Sequence, residues 1–343
     1  MQNKELLQSY HMAGLFTLTL RLVIGWTYFS AFWRRLILEN KLDPDTAGYI
    51  GEKFNHFLPN ALGIKPIIEY LVTTPDALWW AMAVFTIVEA IVGLFIMMGL
   101  FTRLMSIGVF SLAMGILLGS GWLGTTCLDE WQIGVLGVAS GFTIFLSGSG
   151  KYSLDYFLQT KNYKITKHPI FSWLGSGVLP IRFTVLPKIV FGGALAILAL
   201  TLYTNQYFHG GVWGTLHNKS VKPKIEITNS TLDQDVISFQ IFRVEGADVY
   251  GSFLIGIKIV DGNENTILEL DQKALANFPK ENIKNRYVAQ IKSGKHSMII
   301  PLGAKANLEI REEKLAHLSN GSYKVILTDI SGLTWTDTFE INK

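Results

Sequence analysis

The stretch LWWAMAVFTIVEAIVGLFIMMGL, residues 78–100, decides the class of this fold. Its only charged side chain is Glu89. A bilayer core is crossed by roughly 20 apolar residues in helix, so this run reads as a transmembrane span. Four other stretches have similar character: 13–33 (AGLFTLTLRLVIGWTYFSAFW), about 103–121, about 131–147 and about 186–205. The first is too long for a signal-peptide core and has no A-x-A site after it, so a retained helix is expected. Only the turn at Phe101-Thr102-Arg103 separates the second span from the third, which makes them a tight antiparallel hairpin. The third and fourth are glycine-rich, and small residues let helices approach closely in lipid.

Charge divides the chain in two. Residues 1–205 carry 14 basic and 11 acidic side chains, 12% of positions, and residues 206–343 carry 16 and 16, or 23%. Soluble domains carry about 25%, so the first part is too apolar for a water-soluble fold and the second is ordinary. A single soluble enzyme domain and intrinsic disorder are both excluded. With a net charge of +3 and no basic tract, nothing points to nucleic acid.

The tail has the pattern of strands. VISFQIF (236–242), GSFLIGIKIV (251–260), SMIIP (297–301), YKVILTD (323–329) and TWTDTFEI (334–341) are short and rich in β-branched and aromatic residues. Asp261-Gly262 and Ser331-Gly332 supply turns, and a short helix is expected near 271–277. The expected fold is therefore a membrane α-helical bundle of four helices plus a fifth connecting transmembrane helix, followed by an all-β immunoglobulin-like sandwich. The corresponding domains are residues 1–160, the connection and fifth helix at 161–205, and 206–343.

Orientation follows from Lys and Arg in short loops. The 148–185 connection holds Lys151, Lys161, Lys164, Lys167 and Arg182 against Asp155 alone, which puts it in the cytoplasm. Five spans then leave the N-terminus inside and the β-domain outside, in a multi-pass protein of the inner (cytoplasmic) membrane. The loop at 34–77 also falls outside, although it contains Arg34, Arg35, Lys41, Lys53 and Lys65.

A single cysteine, Cys127, rules out an internal disulfide, a Cys-based zinc site and a CxxC pair. It stands in GWLGTTCLDEWQIG, residues 121–134, among Thr125, Thr126, Asp129 and Glu130. It is either a small buried hydrophobe or a reactive thiol at the membrane edge; a thiolate there could attack or accept sulfur. Arg34 and Arg35 close the first span. They either snorkel to lipid headgroups or hold a tetrahedral oxyanion with their guanidinium forks. His56 could join them as a proton carrier.

Arg21 and Glu89 are the charges inside the spans, at depths that allow an ion pair between antiparallel helices. Such a pair either holds the bundle together or relays protons to a redox carrier. Trp122 and Trp131, with Trp26, Trp79 and Trp80, lie near span ends and form an aromatic belt or wall a quinone pocket. QYFHGGVWGTLHN, residues 206–218, links the fifth span to the β-domain; its Gly210, Gly211 and Gly214 permit close backbone approach, and His209, Trp213 and His217 add functional groups. No dinucleotide fingerprint, P-loop, haem-attachment site or His-rich helix pair is present, so no metal or haem is expected.

These strings together resemble the thiosulfate:quinone oxidoreductase family, as a DoxD-like membrane subunit fused to a DoxA-like exported subunit. The DoxD-like likeness covers about 10–160, through the Arg34-Arg35 end of span one, Glu89 before GLFTR, and GTTCLDEWQ. The DoxA-like likeness covers about 180–343, through GGVWGTLHN, ADVYGSF, IPLGA and GSYKVILTDISGLTW. The resemblance implies oxidation of two thiosulfates to tetrathionate, with two electrons passed to a membrane quinone (menaquinone or ubiquinone).

Chemistry then suggests roles for particular residues. Cys127, Asp129, Glu130 and Glu89 are candidates for catalysis and proton handling. Arg34, Arg35, His56 and Trp213 are candidates for holding thiosulfate, and Trp122 and Trp131 for contacting quinone. Partners would be thiosulfate, quinone and the bilayer, with a homo-oligomer compatible. A non-catalytic membrane-anchored binding protein, or a small-anion transporter of the DoxX-like type, is the alternative.

Overall fold

The computed structural model describes residues 2–124, 129–247 and 252–341, without the side chains of 2–4 and 252. Among the described residues ten α-helices come first: α1 (Gln2–Phe16), α2 (Leu18–Phe32), α3 (Ile50–Phe57), α4 (Lys65–Thr73), α5 (Pro75–Met98), α6 (Thr102–Ser120), α7 (Asp129–Ser147), α8 (Leu154–Thr160), α9 (Pro169–Leu174) and α10 (Leu186–His209). Among the described residues, α5, α6 and α10 are each long and apolar enough to cross a membrane. A fourth span is counted if the bent pair α1–α2 is one segment. The chain is thus a membrane protein with a separate C-terminal domain.

The first span differs from the single helix expected at 13–33. It is bent by 52° between Glu5–Phe16 and Leu18–Ile37. Thr17 stands at the break, and its hydroxyl bonds back to Ala13 O at 3.1 Å, a competition with the helix ladder that bends helices. The same hydroxyl meets Ser147 Oγ at 2.9 Å. At its far end α2 runs into a π-helical turn, Trp33–Ile37, that carries Arg34 and Arg35.

Glycine sets the helix contacts. A Cβ on Gly93 of α5 would fall 2.5 Å from Phe29 N and 2.7 Å from Gly25 O, so α2 and α5 touch backbone to backbone. Helix α7 does not reach the apolarity of the candidate spans, because Asp129, Glu130 and Gln132 open it. It nevertheless retraces the depth of α6. Gly134 packs on Leu117, Gly137 on Ala113, and Gly141 on Phe110 and Ser106, an antiparallel register over about two turns of α7. Small residues drive this packing because lipid offers no hydrophobic gain for helix association. Around it, Tyr28, Val92, Ile96, Met105, Val109, Leu112 and Ile144 form the bundle core. In α10, by contrast, no residue of the most apolar window is buried by protein, as suits a helix solvated by lipid.

Ten strands follow among the described residues: β1 (Lys224–Asp233), β2 (Val236–Glu245), β3 (Ser252–Asp261), β4 (Thr266–Leu270), β5 (Ile283–Asn285), β6 (Lys292–Ser293), β7 (Met298–Ile300), β8 (Lys305–Arg311), β9 (Gly321–Asp329) and β10 (Thr334–Ile341). They make two antiparallel sheets, ordered β1-β2-β8-β5 and β10-β9-β3-β7-β6, with β4 also paired to β3. Alternation puts Ile237, Phe239 and Ile241 of β2 inward, opposite Val325 and Leu327 of β9, in one shared core. The short helix expected near 271–277 is Gln272–Ala276.

By contact the described chain divides into two compact units. The first holds the chain up to Tyr49, Trp79–Gly121 and Asp129 to His217. The second holds Ile50–Leu78, residues 122–124 and the chain from Asn218. Helices α3 and α4 therefore belong with the strands. Leu58, Ala61, Ile68 and Val72 pack with Tyr287 and Phe242, and Asn55 locks the arrangement. Its Nδ2 donates to Gly303 O at 2.9 Å, and Ala289 N donates to its Oδ1 at 3.0 Å. Gly303 has φ +73, and a Cβ there would fall 1.8 Å from Asn55 O, so only glycine fits.

Candidate functional site

The Gly25–Gly93 contact fixes which charges can meet. Side chains on a helix lean toward its N-terminus. Arg35, ten residues beyond Gly25, therefore reaches back along α2 toward Glu89, four residues before Gly93 on the antiparallel α5. Nη1 of Arg35 lies 2.5 Å from Glu89 Oε2 and donates to Thr86 Oγ1 at 3.2 Å. The Arg35 side chain is 15% exposed and that of Glu89 4%. The guanidinium also sits 5.8 Å from the centroid of Phe85. Arg34, its neighbour in the π turn, is exposed.

The ion pair that depth in the spans allowed between Arg21 and Glu89 is not formed; Glu89 pairs with Arg35. Arg21 precedes Gly25, so the same lean carries it away from Glu89, and it stands beside Gly99, where a Cβ would lie 2.8 Å from its Nη1. Its guanidinium donates to Ser149 O at 2.7 Å and Tyr152 O at 2.6 Å. Depth measured from a straight span beginning at residue 13 misplaced it, because the span begins earlier and breaks at Thr17.

Arg21 belongs to a second polar layer, at the end of the bundle where α5 turns into α6. Asp155 is fully buried there. It accepts from Phe101 N, Thr102 N, Thr102 Oγ1 and Ser176 Oγ, all within 2.8–3.0 Å. Its carboxylate is the anion facing both Arg21 and Arg103. Arg103 donates to the carbonyls of Phe145, Ser172 and Gly177. GLFTR is thus a structural string, which ties the 148–178 segment to the bundle. Sequence reasoning gave neither Arg103 nor Asp155 a role. The available signal was one acid placed among five cations in a connection too compact to be slack.

The other end of the bundle gathers Trp131, Thr204 and His209. Trp131 Nε1 donates to Thr204 Oγ1 at 3.0 Å. The His209 ring meets Trp131 edge-on at 6.5 Å, and its Nε2 lies 2.9 Å from Gly121 O. Beyond His209 the GGVWGTLHN loop doubles back. His217 N donates to His209 O, while Gln206 Oε1 accepts from Val212 N and Trp213 N. Trp213 is 68% exposed. Asp129, exposed, and Glu130, half-buried, open α7. Cys127 lies outside the described residues.

His56 and Trp122 belong to the second unit. His56 is buried on α3, and Trp122 is fully buried with its indole N–H donated to Phe57 O at 3.1 Å. In the same unit Tyr287 donates to Glu69 Oε1 at 2.7 Å, and burial, then that carboxylate, raise its phenol above the ordinary range. Among the described residues no group of His, Cys, Asp and Glu could hold a metal ion.

Residues 16–182 match the family described as TQO small subunit DoxD, and residues 208–338 match the one described as TQO small subunit DoxA. The Arg35–Glu89 pair, the GLFTR layer and Trp131 all fall within the first match, and the β-domain makes up the second. The chain therefore belongs to the DoxD and DoxA families, joined in that order in one polypeptide.

Proposed function

We propose that this protein is a thiosulfate:quinone oxidoreductase. It oxidises two thiosulfates to tetrathionate at the extracytoplasmic membrane face and reduces a membrane quinone, with its N-terminus in the cytoplasm and its β-domain outside. The observation that carries this is the presence of both TQO small subunits in one chain. An intramembrane ion pair adds support, since charges in spans are kept for function by default.

The reaction consumes two thiosulfates, one quinone and two protons, and yields tetrathionate and quinol. Arg34, exposed at the span end, would attract the dianion, and Arg35 would join it when Glu89 takes up a proton and loosens its hold. Cys127 would carry the sulfur chemistry. Its thiolate adds to quinone; thiosulfate attacks the cysteine sulfur, which releases quinol and leaves a cysteine S-thiosulfonate. A second thiosulfate attacks the sulfane sulfur, expels the thiolate and departs as tetrathionate. Both electrons end on the quinone, and one thiol suffices. Asp129 or Glu130 would supply protons nearby, and Trp131 would flank the quinone ring.

The Cys127→Ser variant tests this route. It should abolish thiosulfate-dependent quinone reduction and leave the unfolding midpoint unchanged; an unaltered rate would remove cysteine catalysis. The buried Arg35–Glu89 pair also suits a small-anion transporter. Thiosulfate flux into sealed vesicles without any redox change would favour that reading instead.

A further inference from the structure

Residues 148–190 cross the end of the bundle where α7 stops, α5 turns into α6 and α10 begins. Buried anchors fix the segment there. Asp155 of α8 accepts from the α5–α6 turn, and Gln159 Nε2 donates to Ser176 O at 2.7 Å. Phe171 of α9 is buried with its ring 6.1 Å from that of Phe101. With these residues spent inward, Phe157, Tyr163, Ile170, Trp173 and Phe183 are left between 44% and 70% exposed. So much apolar surface, held in place by buried anchors, marks contact with something other than water.

Cations lie among these side chains. Lys161, Lys164, Lys167, Arg182 and Lys188 are exposed, and among the described residues none of them is in an ion pair. The one acid of the segment, Asp155, is fully buried and faces Arg21 and Arg103 instead. Lys188 stands in the first turn of α10, where the helix dipole is already positive and a cation is unfavourable unless an anion faces it. The surface also runs without a break from Phe183 into α10, whose most apolar window has no residue buried by protein. Its occupant is therefore apolar on one side and negative on the other.

We propose that residues 151–188 form a strap that lies in the headgroup layer and binds anionic phospholipids. Phe157, Ile170, Trp173 and Phe183 sit against the upper acyl chains, and the five cations hold lipid phosphodiesters. Short amphipathic helices with aromatic residues on one face and lysines on the other bind membranes in this way. The orientation proposed above puts the strap at the cytoplasmic leaflet, whose anionic lipids give it a negative surface potential. The strap needs no quinone chemistry.

The test uses full-length protein in phosphatidylcholine vesicles with a trace of spin-labelled lipid, and reads the share of label that the protein immobilises. One lysine near an anionic headgroup favours it about 5-fold. Averaged over all the lipid that touches the protein, a phosphatidylglycerol label should be held about twofold or more over a phosphatidylcholine label. Salt at about 1 M should remove most of that preference, a reading that involves no substitution. The variant Lys161→Gln with Lys164→Gln and Lys167→Gln should lose most of it too, whereas Lys273→Gln with Lys280→Gln and Lys314→Gln on the β-domain should keep it. Equal retention of both labels by the wild type, or an unchanged preference in the first variant, overturns the proposal. Displacement of the label by inorganic phosphate at constant ionic strength would assign the cations to a soluble anion and overturn it as well. None of these results bears on quinone reduction, so the strap and the oxidoreductase reading fail separately.

Discussion

Removing either member of the Arg35–Glu89 pair should destabilise the bundle far more than removing both. The side chains are 15% and 4% exposed, so solvent screens them little. With charge centres about 4 Å apart, the attraction is about 4 kcal/mol at an effective dielectric of 20. Most of this offsets the desolvation of both ions, so the pair adds little net stability. A single loss, by contrast, leaves an uncompensated buried charge and costs about 3–5 kcal/mol. The two single losses differ in kind. After Arg35→Gln, Glu89 can neutralise itself by taking up a proton, so the penalty shrinks as pH falls. After Glu89→Gln, the Arg35 guanidinium cannot deprotonate, so its penalty stays constant with pH. A double-mutant cycle with Arg35→Gln and Glu89→Gln, read by unfolding in mixed micelles, should give a coupling of about 2–4 kcal/mol. A coupling below about 0.5 kcal/mol, the size of an exposed pair, would refute the reasoning.

Two further outcomes follow from buried polar groups. Asp155→Ala strips acceptors from Phe101 N, Thr102 and Ser176 and removes the anion facing Arg21 and Arg103. It should cost about 3–5 kcal/mol in detergent unfolding; a loss under about 1 kcal/mol would show that the layer is not structural. Asn55→Ala leaves Ala289 N without its acceptor and Gly303 O without its donor. Amide exchange in a peptide containing Ala289 should accelerate about 10-fold or more, matching the cost of one unmet buried bond; unchanged exchange would count against the Asn55 lock.

Four of the five expected spans were legible in the sequence because lipid imposes one rule, a long apolar run, and residues 78–100 obey it with one exception; the stretch at about 131–147 falls short of it. The alternating strands were legible for a similar reason: one face of each must be apolar. β1, β4, β5, β6 and β8 were not; in β8, KANLEIR turns only Ala306, Leu308 and Ile310 inward, between polar and charged neighbours. The pairing of Glu89 was not legible because pairing depends on register. Register is set by the Gly25–Gly93 contact and the bend at Thr17, neither of which hydropathy reveals. The placement of α3 and α4 with the strands was hidden too. It rests on bonds between residues more than 200 positions apart, such as Asn55 to Gly303.

The most direct measurement takes purified full-length protein, thiosulfate and a soluble quinone analogue, and follows quinone absorbance together with both sulfur anions. One tetrathionate should form, and two thiosulfates disappear, for every quinone reduced. Quinone left oxidised in the presence of folded protein and excess thiosulfate, or reduced without tetrathionate, would contradict the account.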